Sequence, residues 1–297
     1  MVQLFNTMEG SEEFPIKEID PFEVFPSLSE IPEKPKQLYM RGTLENIKHK
    51  KIVAFVGSRA CTSYGMNACR TLIEGLRGYN IVIVSGLAMG IDTVAHKASL
   101  ETGLTTIAFP GSGLGWKTIY PAVNKDLAKE IIKKGGALFS EYPEETRGAI
   151  WTFPRRNRIV AGIADIVIIV EAQGKSGALI TARLGTEYNK IVGAVPGSIY
   201  SSSSVGTNWL LRLGAVPITS SEDILKELGL EKKDVPLSAL VVNENEGRVL
   251  DALNEPKTKD AIIEELGLST SEANVIFSTL EIKGLIKESY GLIERIA

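Results

Sequence analysis

Six short, unbroken runs of β-branched and other apolar residues constrain this chain more than any other feature: IVAFV at 52–56, IVIV at 81–84, TTIAF at 105–109, ALF at 137–139, IVIIV at 166–170 and IVGAV at 191–195. Longer helical patterns separate them, which is the arrangement of βαβ units joined into a parallel sheet. A strand with one wet face alternates polar and apolar residues. Continuous apolar character means that both faces are covered, and the intervening helices supply the covers. The chain is therefore read as α/β, a mostly parallel sheet with helices on both faces.

Most of the runs end in small or turn-forming residues: Gly57-Ser58-Arg59, Ser85-Gly86, Pro110-Gly111-Ser112-Gly113 and Pro196-Gly197. In an open α/β sheet the ligand lies beyond the carboxyl ends of the strands, where residues without bulk let backbone approach a bound group. That edge is the expected binding site, with plain tight turns as the alternative use of any single loop. Charge points the same way. The chain carries −3 overall, yet residues 51–228 hold 19 basic against 14 acidic side chains, while residues 1–50 hold 6 against 9 and residues 246–297 hold 6 against 10. A phosphate-bearing partner is drawn to the central region.

At 297 residues the chain exceeds one typical domain. Residues 1–50, with Pro15, Pro21, Pro26, Pro32 and Pro35, read as an irregular extension packed on the core, because a long helix cannot run through such spacing. Residues 51–228 form the sheet domain, with Ser201–Ser204 as a short mobile loop. Residues 229–245 read as a linker with a short apolar patch. Residues 246–297 read as a small winged-helix domain: helices at 246–254, 258–266 and 270–283, then Gly284 and the hairpin LIKESYGLIERI. The opening MVQLFNTMEGSEEFP lacks a basic segment followed by an apolar run, and no apolar stretch approaches about 20 residues. Neither export nor membrane spanning is expected, and the chain is read as cytoplasmic. Cys61 and Cys69 are too few for a disulfide framework or a zinc site.

The loop VGSRACTSYG, Val56 to Gly65, joins the first run to a helix, the place where backbone N–H groups and a helix N-terminus attract phosphate. It matches neither GxGxxG nor GxxxxGK[ST], and no acidic residue follows the second run to hold a ribose. NAD and ATP are both demoted and no cofactor is expected. Gly57, Ser58 and Arg59 are candidate contacts, Arg59 supplying a guanidinium, together with Ser85, Gly86, Gly111, Ser112 and Gly113 of the neighbouring loops. The segment Trp151-Thr152-Phe153-Pro154-Arg155-Arg156-Asn157-Arg158 packs aromatic and guanidinium groups together. Single-stranded nucleic acid is held by such mixtures, bases stacking on rings while arginines meet phosphates. Phe153, Arg155, Arg156, Asn157 and Arg158 are therefore candidates. The alternative makes Trp151 and Phe153 core and pairs some of the arginines with Glu141, Glu144 or Glu145. Ser176 and Gly177 offer an anion nest, and Lys175 and Lys125 are candidate phosphate contacts, with solvated surface charge as the alternative. The only histidines are His49 and His96, and no spacing matches a metal site or a hydrolase elbow, so no enzymatic activity is expected. Asp92 and His96, one helical turn apart, make either an acid–base pair or a structural hydrogen bond near the helix start.

Taken in order, VGSR at 56–59, SGLAMGID at 85–92, SEYP at 140–143, FPRRNRIVAGIAD at 153–165, VEA with SGALITA at 170–182 and AVPG at 194–197, preceded by Pro35, Leu38-Tyr39 and Gly42, resemble the DNA-processing protein A (DprA/Smf) family from about Phe14 to Asp223. The resemblance implies a modified Rossmann fold, binding of single-stranded DNA, a homodimer formed through that domain, and loading of the RecA recombinase in natural transformation or related DNA processing. Met89 departs from it, standing where the family commonly carries arginine. The C-terminal domain departs in charge: its expected recognition helix, STSEANVIFSTLEIK, has one lysine against two glutamates, which suits a protein partner better than a DNA groove. The competing reading is a nucleotide-binding sensor or a phosphoribohydrolase-like enzyme on a related sheet. The PGGxGTxxE motif of such enzymes has its nearest counterpart in SGALITARLGTE, which ends at Glu187 without the run of glycines.

Overall fold

The computed structural model describes residues 14–230, 244–282, 285–289 and 291–295. They fall in two units, one ending at Lys232 and the other starting at Lys233.

In the first unit nine strands make one sheet: β1 (Lys17–Ile19), β2 (Leu38–Gly42), β3 (Lys51–Val56), β4 (Ile81–Ser85), β5 (Thr105–Ala108), β6 (Ala137–Ser140), β7 (Ile166–Ile169), β8 (Ile191–Ala194) and β9 (Val216–Pro217). Their spatial order is β1-β2-β6-β5-β4-β3-β7-β8-β9. From β6 to β9 every pairing is parallel. Strand order therefore reverses beside β3, with β4, β5 and β6 on one flank and β7, β8 and β9 on the other. The helices are α1 (Pro21–Val24), α2 (Ser63–Glu74), α3 (Ile91–Thr102), α4 (Lys125–Lys133), α5 (Thr152–Ile163), α6 (Gly177–Glu187), α7 (Val205–Arg212) and α8 (Ser221–Glu227).

Alternate residues of each strand serve opposite layers, which is why the runs are apolar throughout. Ile52 and Ala54 join Val82, Val84, Val167 and Ile169 in a core that includes Ile159, Val160 and Ile163 of α5 and Ala178 and Ala182 of α6. Val53 and Phe55 join Ile81, Ile83, Ile166 and Ile168 in a second core with α2, α3 and α8. Phe109 stacks on Phe139 with ring centroids 5.2 Å apart, and Phe25 meets Phe139 edge-on at 5.1 Å. Burying each such ring contributes roughly 1.5–3 kcal/mol.

Two sequence expectations change. Residues 17–19 and 38–42 are strands of the sheet rather than an irregular covering. Pro15 precedes β1 and the other four prolines fall between β1 and β2, which leaves both strands free to pair, and β2 runs antiparallel to β6 with Tyr39 opposite Ser140 and Gly42 opposite Ala137. Ser202–Ser204 is a 3-10 turn instead of a mobile loop. Ser203 and Ser204 are buried, and the Ser203 carbonyl accepts the Ala172 N–H at 2.9 Å.

The second unit comprises α9 (Glu244–Ala252), β10 (Lys257–Thr258), α10 (Lys259–Leu266), α11 (Thr270–Ile282), β11 (Ile286–Ser289) and β12 (Leu292–Arg295). Its strands pair antiparallel in the order β10-β12-β11. Val249, Leu250, Ile262, Phe277, Leu280 and Ile293 form its core. The Thr258 hydroxyl caps α10 by accepting the Ala261 N–H at 3.3 Å, and Gly267 ends the helix in the left-handed region. The linker reading of 229–245 concerns mostly residues 231–243, which lie outside the described residues.

Candidate nucleic-acid interface

The carboxyl ends of β3, β4 and β5 bring together the loops singled out in the sequence, and α5 lies against them. Arg59, exposed in the loop after β3, places its guanidinium carbon 5.1 Å from the Phe153 ring centroid. Phe153 sits in the first turn of α5 and rests on Gly111, where a Cβ would overlap the ring. On its other flank Tyr120 packs at 5.4 Å with the rings tilted by 42°. Arg59, Gly86, Ala88, Met89, Tyr120, Pro121, Phe153 and Arg156 together line one small cleft.

Arg156 closes the floor of this cleft. It is only 6% exposed. Its Nη1 donates to the Gly86 carbonyl at 2.5 Å and to the Phe109 carbonyl, and its Nε donates to the Asn157 side chain at 3.0 Å. Gly86 has to lack a Cβ, which would overlap the guanidinium. Burial lowers the Arg156 pKa to about 10, with Asp92 opposing the shift, so the group is still a cation at neutral pH. Asp92 is buried as well. Burial raises its pKa, opposed by Arg156 and by hydrogen bonds from Ala88 N, Ser85 and Gly86 N. The two amides donate to Asp92 Oδ2 at 3.0 Å from Gly86 and 3.2 Å from Ala88, so this carboxylate shapes the loop that carries Met89. His96 does not face Asp92 as an acid–base partner: its Nδ1 lies 2.7 Å from Thr106 Oγ1, and burial, then the Arg156 charge, lowers its pKa to about 3.

The other sequence candidates divide by position. Arg155 is exposed at the start of α5, whereas Arg158 is buried, with Nη2 2.6 Å from Glu141 Oε1 and Nε 3.6 Å from Glu33. Residues two apart on a helix point about 200° from each other, so Arg158 does not share the cleft with Arg156. Trp151 is exposed and meets Tyr142 edge-on at 5.8 Å. Ser85 is buried, its hydroxyl donating to the Phe55 carbonyl at 2.7 Å. Gly111, Ser112 and Gly113 are buried and shape the loop under Phe153. A Cβ on Gly57 would overlap Ile91, and the Ser58 hydroxyl accepts the Ala60 N–H at 3.2 Å. Lys125 is half-buried at the start of α4, next to Asn124, which bonds the Leu87 and Ala88 carbonyls. Lys175 and Gly177 are exposed, and Ser176 caps α6 by accepting the Ala178 N–H at 3.2 Å; they belong to the loop after β7 and do not line the cleft. Glu187 is exposed and paired with Arg183 at 3.2 Å.

The start of α2 differs from the sequence expectation. Glu171, 1% exposed at the end of β7, takes the Thr62 N–H on Oε2 at 2.8 Å and the Thr62 hydroxyl on Oε1 at 2.6 Å. A Cβ on Gly65 would overlap that carboxylate. The anion position at the switch in strand order, where a dinucleotide-binding sheet takes pyrophosphate, is filled by the chain's own side chain. The neighbouring cleft under Arg59 is left as the candidate edge. Tyr120 and Asn124 went unread in the sequence. The only local signal for Tyr120 is an aromatic residue soon after a glycine-rich strand end.

Residues 8–229 match the family described as DNA recombination-mediator protein A. The chain is 44% identical over 200 residues to the DNA processing protein DprA of Streptococcus pneumoniae, covering 67% of this chain and 69% of that protein. It is 41% identical over 203 residues to Protein Smf of Escherichia coli, covering 68% of this chain, and it spans about half, 54%, of that relative. Among solved structures, the X-ray structure of DprA from S. pneumoniae is similar with a TM-score of 0.65 and 41% identity, covering 73% of this chain and 75% of that one. A Helicobacter pylori DNA processing protein A structure, reported for its single-stranded DNA binding mode, is similar with a TM-score of 0.65 and 31% identity, covering 73% and 96%.

Proposed function

The chain belongs to the DNA recombination-mediator protein A family, and from that membership we propose that it holds single-stranded DNA at the Arg59 cleft and loads RecA recombinase onto the strand. The observation that carries this reading is the assembly of Arg59, Phe153, Tyr120 and Arg156 at one strand edge, cation and ring within one cleft. Arg59 and Arg155 meet phosphates, Arg156 supplies fixed positive charge beneath them, and unstacked bases lie on the aromatic side. Lys125 extends the track along α4. Such grooves hold about 4 to 16 nucleotides per site with little sequence preference. The protein acts by binding rather than by catalysis, in natural transformation or related recombination, in the cytoplasm. Among the described residues no helix is long and apolar enough to cross a membrane.

A homodimer presents two such tracks. It is supported by an open groove lined by Ile180, Val205, Trp209, Leu210 and Leu213 on α6 and the α7 region, where Val205, Trp209 and Leu213 are exposed. The acidic C-terminal unit contacts protein rather than duplex.

The test is fluorescence anisotropy with a labelled single-stranded oligonucleotide and its duplex at two salt concentrations, using the intact chain, Arg59→Ala and Arg155→Ala, with nucleotide hydrolysis as a control. Tighter binding of the single strand than of the duplex, with affinity lowered by salt and by both substitutions and without turnover, is the expected result. Equal binding of duplex, or nucleotide cleavage, overturns it.

A further inference from the structure

We propose that Met89 and Tyr120 form a base-contacting lip on this cleft, and that preference for an unpaired strand resides there rather than at Arg59. The inference rests on the single-strand reading above and adds to it which residues of the cleft take the base.

The cleft has two unlike kinds of lining. Arg59 brings an exposed charge, while the Arg156 guanidinium is committed to the carbonyls of Gly86 and Phe109. Met89, 50% exposed, and Tyr120, 46% exposed, line the same cleft. Neither offers a cation to a phosphate. A thioether and a ring do offer soft, polarisable surface to the flat face of a base. A duplex keeps those faces covered by stacking, so only an unpaired base can use the lip.

The lip is also held in shape. Asn124 is 5% exposed. Its Nδ2 donates to the Leu87 carbonyl at 2.8 Å, the Ala88 carbonyl at 3.1 Å and Thr93 Oγ1 at 2.8 Å. Its backbone N–H donates to the Pro121 carbonyl at 3.0 Å. One buried side chain thus ties the turn bearing Met89 to the segment bearing Tyr120, and Phe153 supports the Tyr120 ring from behind. Surface apolar side chains without such a clasp need no explanation; two whose segments are tied by one buried side chain at a cationic cleft do.

The experiment compares a labelled oligothymidylate with an abasic oligomer of the same length and charge, over a salt series, for the full chain and its variants. The wild type should bind the thymidylate about tenfold more tightly than the abasic strand, within the range of one stacked base. Tyr120→Ala and Met89→Ser should each lose most of that ratio by weakening only thymidylate binding, with the slope of log affinity against log salt unchanged. Tyr120→Phe should keep the ratio. Met89→Arg should strengthen abasic binding and steepen the slope by about one. If wild type binds both oligomers equally, or if both variants weaken both oligomers alike, the lip is wrong while strand binding stands. If the wild type binds neither, the single-strand reading itself fails.

Discussion

Replacing His96 by glutamine should remove much of the acid sensitivity of the sheet unit. His96 is fully buried on α3, with Nδ1 2.7 Å from Thr106 Oγ1, and its pKa falls from 6.5 to about 3 because burial, and then the Arg156 charge, penalise the cation. A base whose folded pKa is depressed leaves stability intact above its unfolded value of 6.5 and removes it as pH falls toward the folded value of about 3. At about pH 4.5 the unfolded chain gains a proton that the folded chain cannot bind. Two pH units at about 1.4 kcal/mol each give a loss of roughly 2–3 kcal/mol. That is a large share of the roughly 5–15 kcal/mol that holds a typical domain together. Asp92 acts with the opposite sign, because its raised pKa favours the folded state when protonated. The quantity to read is therefore the difference between wild type and His96→Gln, in which Asp92 cancels. Trp116, Trp151 and Trp209 all lie in the first unit, so tryptophan fluorescence during urea unfolding reports that unit alone. The wild-type advantage over the variant should shrink by roughly 2–3 kcal/mol between pH 7 and about pH 4.5. A difference that stays flat across that interval would refute the reasoning.

Arg158 and Glu141 form a buried pair at 2.6 Å, so Arg158→Met or Glu141→Gln alone should cost about 3–5 kcal/mol by leaving one polar group stranded. The double change should recover part of that loss in thermal melts; strictly additive losses would show that the pair is not coupled. Trp209→Glu combined with Leu213→Glu should convert a dimer to monomers in sedimentation velocity, and a dimer that persists would place the interface on another face.

The sheet was legible because its strands are buried on both sides. Val53 and Phe55 serve one layer and Ile52 and Ala54 the other, so each run is apolar at every position. β2 was not legible, since it contains Arg41, a buried residue whose guanidinium donates to the carbonyls of Phe14 and Leu114, 27 and 73 positions away, and lies over the Trp116 ring. At the site, the sequence marked FPRRNR as a cluster but not the direction of each side chain. Helix geometry turns Arg156 into the cleft and Arg158 toward Glu141. The Glu171–Thr62 contact spans 109 positions, and Tyr120 meets Phe153 across α4, β6 and their loops. Contacts of that kind leave no periodic trace in a sequence.

Glu171 also bears on how this edge tells a polymer from a monomer. A free nucleoside triphosphate reaching the end of α2 would have to expel a carboxylate that already takes two hydrogen bonds from Thr62, and would bring like charge beside it. A polymer has no need of that socket, because it can spread many modest contacts along the neighbouring cleft. With that anion position pre-empted, the proposed strand binding would gain its affinity from the length of strand engaged rather than from a single phosphate socket.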